Sequence, residues 1–532
     1  MRPPVLALSF FFIASLSLVA CSERSVDQST GSGAIAESEA PDAAQPMAID
    51  WYAGSVESAF ENAAREKKPV FLYWGAQWCP PCHELRATIF KRPEFVRQSR
   101  QFINVYLDGD SDRAQKYGEK FSVMGYPTVI IFAADGEEVT RIPGGMNIEQ
   151  YVGVLDLALN AIRPVAALLD DVLAGKPLQD ADWKLLAYYS WSQDRGHALG
   201  EQSLAVVAPQ LAAACPDRLV VEKSLLQMLA VEAWVQGETR DSRFAPAQLA
   251  VVEHILDDDT LAAQNRGSFL FSAGEMVQTL AEGDDRQRLA GLLHALQLSV
   301  INDPEADVLL RVDALQGWLD VQRALAGEDQ PLSAERETWL REQLRSLREQ
   351  FSPYQVHAGI NGIWQIYYGA GLQAEARAAL EDGVKVSKQP YYFMADLGYL
   401  EAEEGNGEAA LAWYRQAWEG AKGPATRQQW GVNYLQAQVR FSPDAVATIG
   451  ATGQALLTEL AEQADGLHQR TARGVERMSN LLLAWAQEQP ADASRQQVIS
   501  SLRQQMDHFC TGLQGVAPEA CASFLVSAPA QA

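Results

Sequence analysis

The chain has 532 residues, 48% of them apolar and 21% charged. That composition is enough for packed cores and excludes a disordered chain, and the length calls for two or three domains. A formal net charge of −25 argues against a nucleic-acid partner and identifies no other.

Residues 1–20 read as a secretory leader. Arg2 is followed by Val5 to Ala20, an apolar run interrupted only by serines. The run is shorter than the ~20 residues that cross a bilayer and fits a leader's apolar core. It ends in Leu18-Val19-Ala20-Cys21, which resembles the lipobox of bacterial lipoproteins. The resemblance implies cleavage before Cys21 and acylation of its sulfur; the alternative is an ordinary cleavage site beside a chance cysteine. Ser22, not Asp, follows, so outer-membrane sorting is expected in a Gram-negative cell. Residues 21–47 are rich in Ser, Ala, Gly, Glu and Asp and read as a flexible tether to the lipid bilayer. No other stretch is long and apolar enough to span one.

Residues 48–162 alternate helical and strand patterns. Ser55 to Glu66 places Val56, Ala59, Phe60 and Ala63 on one helical face. Val70 to Trp74 is a buried strand. The run Trp78-Cys79-Pro80-Pro81-Cys82 follows it, and a helix starting at His83 is broken near Pro93. Phe102 to Leu107 is a strand, Arg113 to Phe121 a helix, Thr128 to Phe132 a strand. Asp135-Gly136 turns the chain into a strand from Glu137 to Ile142. Gly144-Gly145 ends that strand, and Ile148 to about Ala161 closes as a helix.

A strand running into Cys-x-x-Cys at a helix start sets the first sulfur over free backbone N–H groups and the positive end of the helix dipole. That setting favours thiolate, the nucleophile of disulfide exchange. The same spacing serves as half of a zinc site, but no second Cys or His pair lies nearby at ligand spacing. The pair is read as redox-active, with Cys79 partly exposed and attacking and Cys82 one turn below it and resolving.

This order of elements, with Lys68-Pro69-Val70, Trp78-Cys79-x-x-Cys82, Thr88-Ile89-Phe90, Pro93-Glu94-Phe95, Gly125-Tyr126-Pro127-Thr128 and the glycine pair, resembles the thioredoxin fold. It is most similar to the branch that includes the C-terminal domain of the thiol–disulfide interchange reductase. The resemblance implies that Pro127 is the family's cis-proline and that the backbone of Tyr126 offers strand-like hydrogen bonds to a substrate peptide. Trp78 either shields the site or belongs to the core. His83 either modulates the thiolate or is a solvated helix residue. Tyr73 stands where many members place a buried Asp, and no lysine faces it from residues 102–108. The resemblance implies protein disulfide substrates, a membrane thiol donor, and no metal or organic cofactor.

Residues 163–532 change character. Long Ala-, Leu- and Gln-rich runs, breaks at Gly175, Gly237, Pro304 and Gly327, and little β-branched alternation predict an all-helical region. Gly398, Gly405, Ala410, Tyr414 and Ala417 resemble a tetratricopeptide unit. Trp364, Gly371, Ala376, Leu380 and Gly383 resemble the preceding one, Ala376 lying 34 residues before Ala410. Two units leave generic helical hairpins open as the alternative. Stacked hairpins leave a concave face for a protein or peptide. Cys510 and Cys521 flank a Gly- and Pro-containing stretch and are expected to form a structural disulfide, two free core thiols being the alternative. Cys215 reads as a small buried residue.

The fold expected is therefore an α/β thioredoxin fold followed by a larger all-α, tetratricopeptide-like domain. The function expected is a lipid-anchored, outer-membrane, periplasm-facing thiol–disulfide oxidoreductase that favours reduction or isomerisation. The alternative is an envelope interaction scaffold with an accessory or redox-sensing dithiol domain.

Overall fold

The computed structural model describes residues 48–526 apart from 77, 88, 143–147, 161–162, 238–242, 244, 328–329, 354, 464 and 514–518. The expected leader, the lipidation site Cys21, the tether, Thr88 and the pair Gly144-Gly145 lie outside the described residues.

The first unit runs α1 (Val56–Glu66), β1 (Val70–Gly75), α2 (Pro80–Ala87), α3 (Pro93–Ser99), β2 (Ile103–Asp108), α4 (Asp112–Lys120), β3 (Thr128–Phe132), β4 (Glu138–Ile142) and α5 (Ile148–Asn160). The redox helix begins at Pro80, three residues earlier than the sequence suggested, because a fixed proline φ suits the first turn of a helix. Pro93 does the same for α3, after a short 3₁₀ turn at Ile89–Lys91. The four strands lie in the order β2-β1-β3-β4, with β1 parallel to β2 and antiparallel to β3.

All six residues of β1 are buried because both faces of the sheet are covered. The strand's alternation divides them. Val70, Leu72 and Trp74 pack with Val56, Ala59 and Ala63 of α1 and with Ala114 and Tyr117 of α4. Phe71 and Tyr73 point the other way, into Leu85, Phe90, Phe95, Tyr151 and Leu155. That second core does not stop at α5. It continues through Val165, Leu168, Leu186 and Trp191 as far as Leu226, so one apolar cluster joins the sheet to the helices that follow.

From Val165 on, the described residues form about twenty helices and no strand. In the hairpins at 356–369/373–386 and 390–403/407–420, small residues sit where helices cross. A Cβ on Gly383 would lie 2.6 Å from the Phe393 ring, and one on Gly398 would lie 3.1 Å from Tyr414. Ala376, Leu380 and Ala410 are fully buried. Among the described residues no helix is long and apolar enough to cross a membrane. Cys510 and Cys521 are disulfide-bonded, tying the helix 493–512 to the short helix 519–523.

Both sheet edges are occupied. Tyr52 N–H donates to Asn104 O on the β2 edge (2.7 Å). On the β4 edge, Ser190 N–H donates to Arg141 O (3.1 Å). Arg141 itself is 0% exposed. Its guanidinium binds both carboxylate oxygens of Glu138 (2.5 and 3.0 Å) and donates to Phe121 O (2.5 Å) and Gln193 O (3.4 Å). Replacing Arg141 by Met takes the two-point partner from the mostly buried Glu138, which keeps His197 at 3.6 Å, and the donor from Phe121 O. The expected loss is ~3–5 kcal/mol, read as a fall in the urea midpoint of the full chain.

Candidate active site

The redox loop is positioned by the end of β1. The strand stops at Gly75, Cys79 N–H donates to Ala76 O (3.2 Å), and α2 begins at the next residue. Cys79 and Cys82 form a disulfide, with Cα atoms 5.3 Å apart. Cys82 N–H points at Cys79 Sγ (3.2 Å). The first sulfur thus takes one of the N–H groups that a helix leaves free in its first turn. Below the pair, Tyr73 Oη donates to Cys82 O (3.4 Å). Burial holds that phenol well above its ordinary pKa, so it remains a hydrogen-bond donor. Asp108, at the end of β2, is a carboxylate on the strand beside β1, and burial raises its pKa.

Tyr126–Pro127 is a cis peptide bond. Tyr126 Oη donates to Gly109 O (3.1 Å), and its ring meets Trp78 edge-on at 5.7 Å. Trp78 and Tyr126 pack against Ala76, Cys79 and Cys82. The structure therefore brings Trp78, Cys79, Cys82 and Tyr126 into one cluster, with Pro127 next in the chain. The side chains of His83 and Glu84 lie outside the described residues. Cys215 is elsewhere and buried, and burial pushes its thiol up to about 11. The Cys510–Cys521 disulfide belongs to a separate, C-terminal core.

The expected partial exposure of Cys79 is corrected. Cys79 is 2% exposed and Cys82 1%. The cause is the helical region, which returns over the redox loop. Trp78 stacks near Tyr392, at 5.5 Å between ring centroids, and under the guanidinium of Arg470, at 5.4 Å. Trp78 Nε1 donates to Asp110 Oδ2 (2.7 Å). The other oxygen of Asp110 accepts from Thr426 Oγ1 (2.6 Å), Thr426 N–H (3.2 Å) and Arg470 (2.6 Å). Asp110, Tyr392, Thr426 and Arg470 escaped the sequence analysis. Asp110 lies 316 residues from Thr426 and 360 from Arg470, so no local pattern links them. The one local hint is Gly423-Pro424, a helix start with no capping side chain of its own.

A family model described as a thioredoxin-like domain matches residues 56–159. The thiol:disulfide interchange protein DsbD of Yersinia pestis is 31% identical over 94 residues, covering 17% of this chain and 16% of that protein. Thioredoxin H5 of Arabidopsis thaliana is 30% identical over 90 residues, covering 17% of this chain and 70% of that protein. A solved structure titled DsbH oxidoreductase aligns with 24% of this chain and 96% of its own at 21% identity, with a TM-score of 0.20. The chain thus spans about a sixth of the length of the interchange proteins it matches.

The two sulfurs differ in what they receive. Cys79 has the Cys82 N–H and the helix N-terminus; Cys82 sits one turn further in. In the reduced protein the facing Cys82 N–H and the helix N-terminus should make Cys79 the first of the two thiols to ionise. Ultraviolet thiolate absorbance followed against pH, in the full chain and in Cys82→Ala, measures the order.

Proposed function

We propose that this chain, which belongs to the thioredoxin family through residues 56–159, is a thiol–disulfide oxidoreductase acting on protein disulfides. The observation that carries this reading is the seat of the dithiol: two bonded sulfurs at a helix N-terminus, the first facing a backbone N–H, beside a cis X–Pro segment.

The exchange balances as follows. The Cys79 thiolate attacks one sulfur of a substrate disulfide, forms a mixed disulfide and expels the other sulfur as thiolate. The Cys82 thiolate then attacks Cys79 Sγ, forms the intramolecular disulfide and releases the second substrate thiolate. Two electrons pass from the chain to the substrate. A dithiol donor at the membrane returns them by the same two steps in reverse. The backbone of Tyr126 pairs with the substrate strand, and Trp78 flanks it. Pro80-Pro81, a stiff pair without charge, suits a reducing or isomerising poise better than an oxidising one.

The division at 48–162 and 163–532 is part of this proposal, as is anchoring through an acylated Cys21 to the outer membrane, on the periplasmic side. The helical region serves as the partner-binding half, and Cys510–Cys521 as a structural bond. A second reading has one observation in its favour. Both sulfurs are buried beneath the helices, which hinders their exchange with a protein substrate and leaves the helical scaffold as the exposed surface.

Trapping separates the two. Cys82→Ala, expressed in the native host, should hold substrate proteins on Cys79 as mixed disulfides that dithiothreitol releases. The reduced full chain should also reduce insulin, and Cys79→Ser should fall to background. An empty trap together with no insulin turnover favours the scaffold.

A further inference from the structure

The helical region touches the dithiol unit along two seams of different chemistry. The first is apolar and continuous: Tyr151, Leu155, Val165, Leu168, Leu186 and Trp191 share one core, so this seam is a permanent joint. The second lies over the redox loop and is mostly polar. Besides the Asp110 cluster, Arg470 N–H donates to Gln115 Oε1 (3.0 Å), and Gln469 N–H donates to Glu119 (2.8 Å). Lys116 pairs with Asp465 (3.1 Å), and the Gln469 side chain donates to Val123 O. A cavity of about 890 Å³ flanks this seam, lined by Val123 and Met124 on one side and Gln469 and Arg473 on the other. Polar contacts of this kind resemble those of interfaces that open and close, not those of a core.

One carboxylate holds the polar seam at its most sensitive point. Asp110 is the N-terminal partner of the helix Pro424–Phe441, accepting the N–H and the hydroxyl of Thr426, and it also binds Arg470. The same side chain binds Trp78, the residue before Cys79. Gly423 makes the approach possible. Its φ is +88°, and a Cβ there would fall 2.7 Å from the Asp110 carboxylate.

We propose that the helical region is an autoinhibitory cover over the Cys79–Cys82 site, latched by the Asp110–Thr426–Arg470 cluster and swinging on the apolar seam to admit a protein partner. The proposal rests on the oxidoreductase reading and adds to it a closed state that a partner must open. In the closed state Trp78 is in contact with both Tyr392 and Arg470, on the surface a substrate would occupy. Binding of a partner and docking of the cover are then mutually exclusive.

The test uses the oxidised full chain and two reductants, dithiothreitol as the small probe and a reduced thioredoxin as the protein probe. Loss of the Cys79–Cys82 disulfide is followed by alkylation and gel shift. Arg470→Met and Gly423→Ala each remove charge-assisted or close-packed contacts of the latch. Each should speed reduction by the protein probe about tenfold or more, and reduction by dithiothreitol by a smaller factor, in a chain that circular dichroism shows to be folded. Thr426→Val, which removes only a hydroxyl, should move both rates in the same direction by less and guards against a variant that fails to fold. Folded variants with the wild-type rate for both probes overturn the cover. Equal, measurable rates with the protein probe in every chain also overturn it and leave the oxidoreductase reading intact. If dithiothreitol reduces the variants faster while the protein probe exchanges with none of them, the cover stands and the oxidoreductase reading falls.

Discussion

Four donors converge on the carboxylate of Asp110: the indole of Trp78, the amide and hydroxyl of Thr426, and the guanidinium of Arg470. A carboxylate so withdrawn from water is tolerated only when its oxygens are paired, and stripping a partner from a buried ion costs several kcal/mol. Here the partners come from both halves of the chain. This one side chain therefore ties the helices to the redox loop from both halves of the chain. The geometry also joins it to the chemistry, since Trp78 is covalently next to Cys79.

The sheet prepares the opposite end of the same problem. Central β1 carries Phe71 and Tyr73 into one core and Leu72 and Trp74 into the other, and it delivers its last residue to the loop that bears Cys79. Because all of β1 is buried, the loop leaves a rigid platform. Tyr73 reaches up from that platform to the Cys82 carbonyl, in the position where a carboxylate was looked for. A phenol kept protonated by burial steadies the turn of helix but takes no proton from the resolving thiol at neutral pH. Asp108, paired with Gly75 across the neighbouring strand, is a carboxylate whose pKa burial raises.

Much of this was legible in the sequence because it is local. The apolar run at β1 and the 3.6-period face of α1 are short-range signals, and each produced its element within a few residues; the helix read from His83 begins three residues earlier, and the break read near Pro93 is where α3 starts. Cys79 and Cys82 announce themselves by spacing, and Pro127 by its neighbours Gly125, Tyr126 and Thr128. The helical hairpins were readable from glycines and alanines that allow close crossing, such as Gly383 against Phe393. The cover over the dithiol was not readable. Thr426 and Arg470 are ordinary helix residues in a window of any length that a pattern search uses. They acquire meaning only when the chain has travelled round and returned, which is a property of the stacked helices as a whole. The exposure expected for Cys79 was wrong for the same reason: it was inferred from a lone domain.

The apolar seam has a practical corollary. Tyr151 and Leu155 of α5 are fully or almost fully buried, and much of what shields them comes from residues 165–226. Cutting the chain after α5 would turn that shielding into a bare oily flank, and the excised piece would carry a surface prone to self-association. Any attempt to isolate the redox unit should extend the boundary through Leu226, where that apolar cluster ends, which also keeps Ser190, the residue that satisfies the last strand's carbonyl at Arg141.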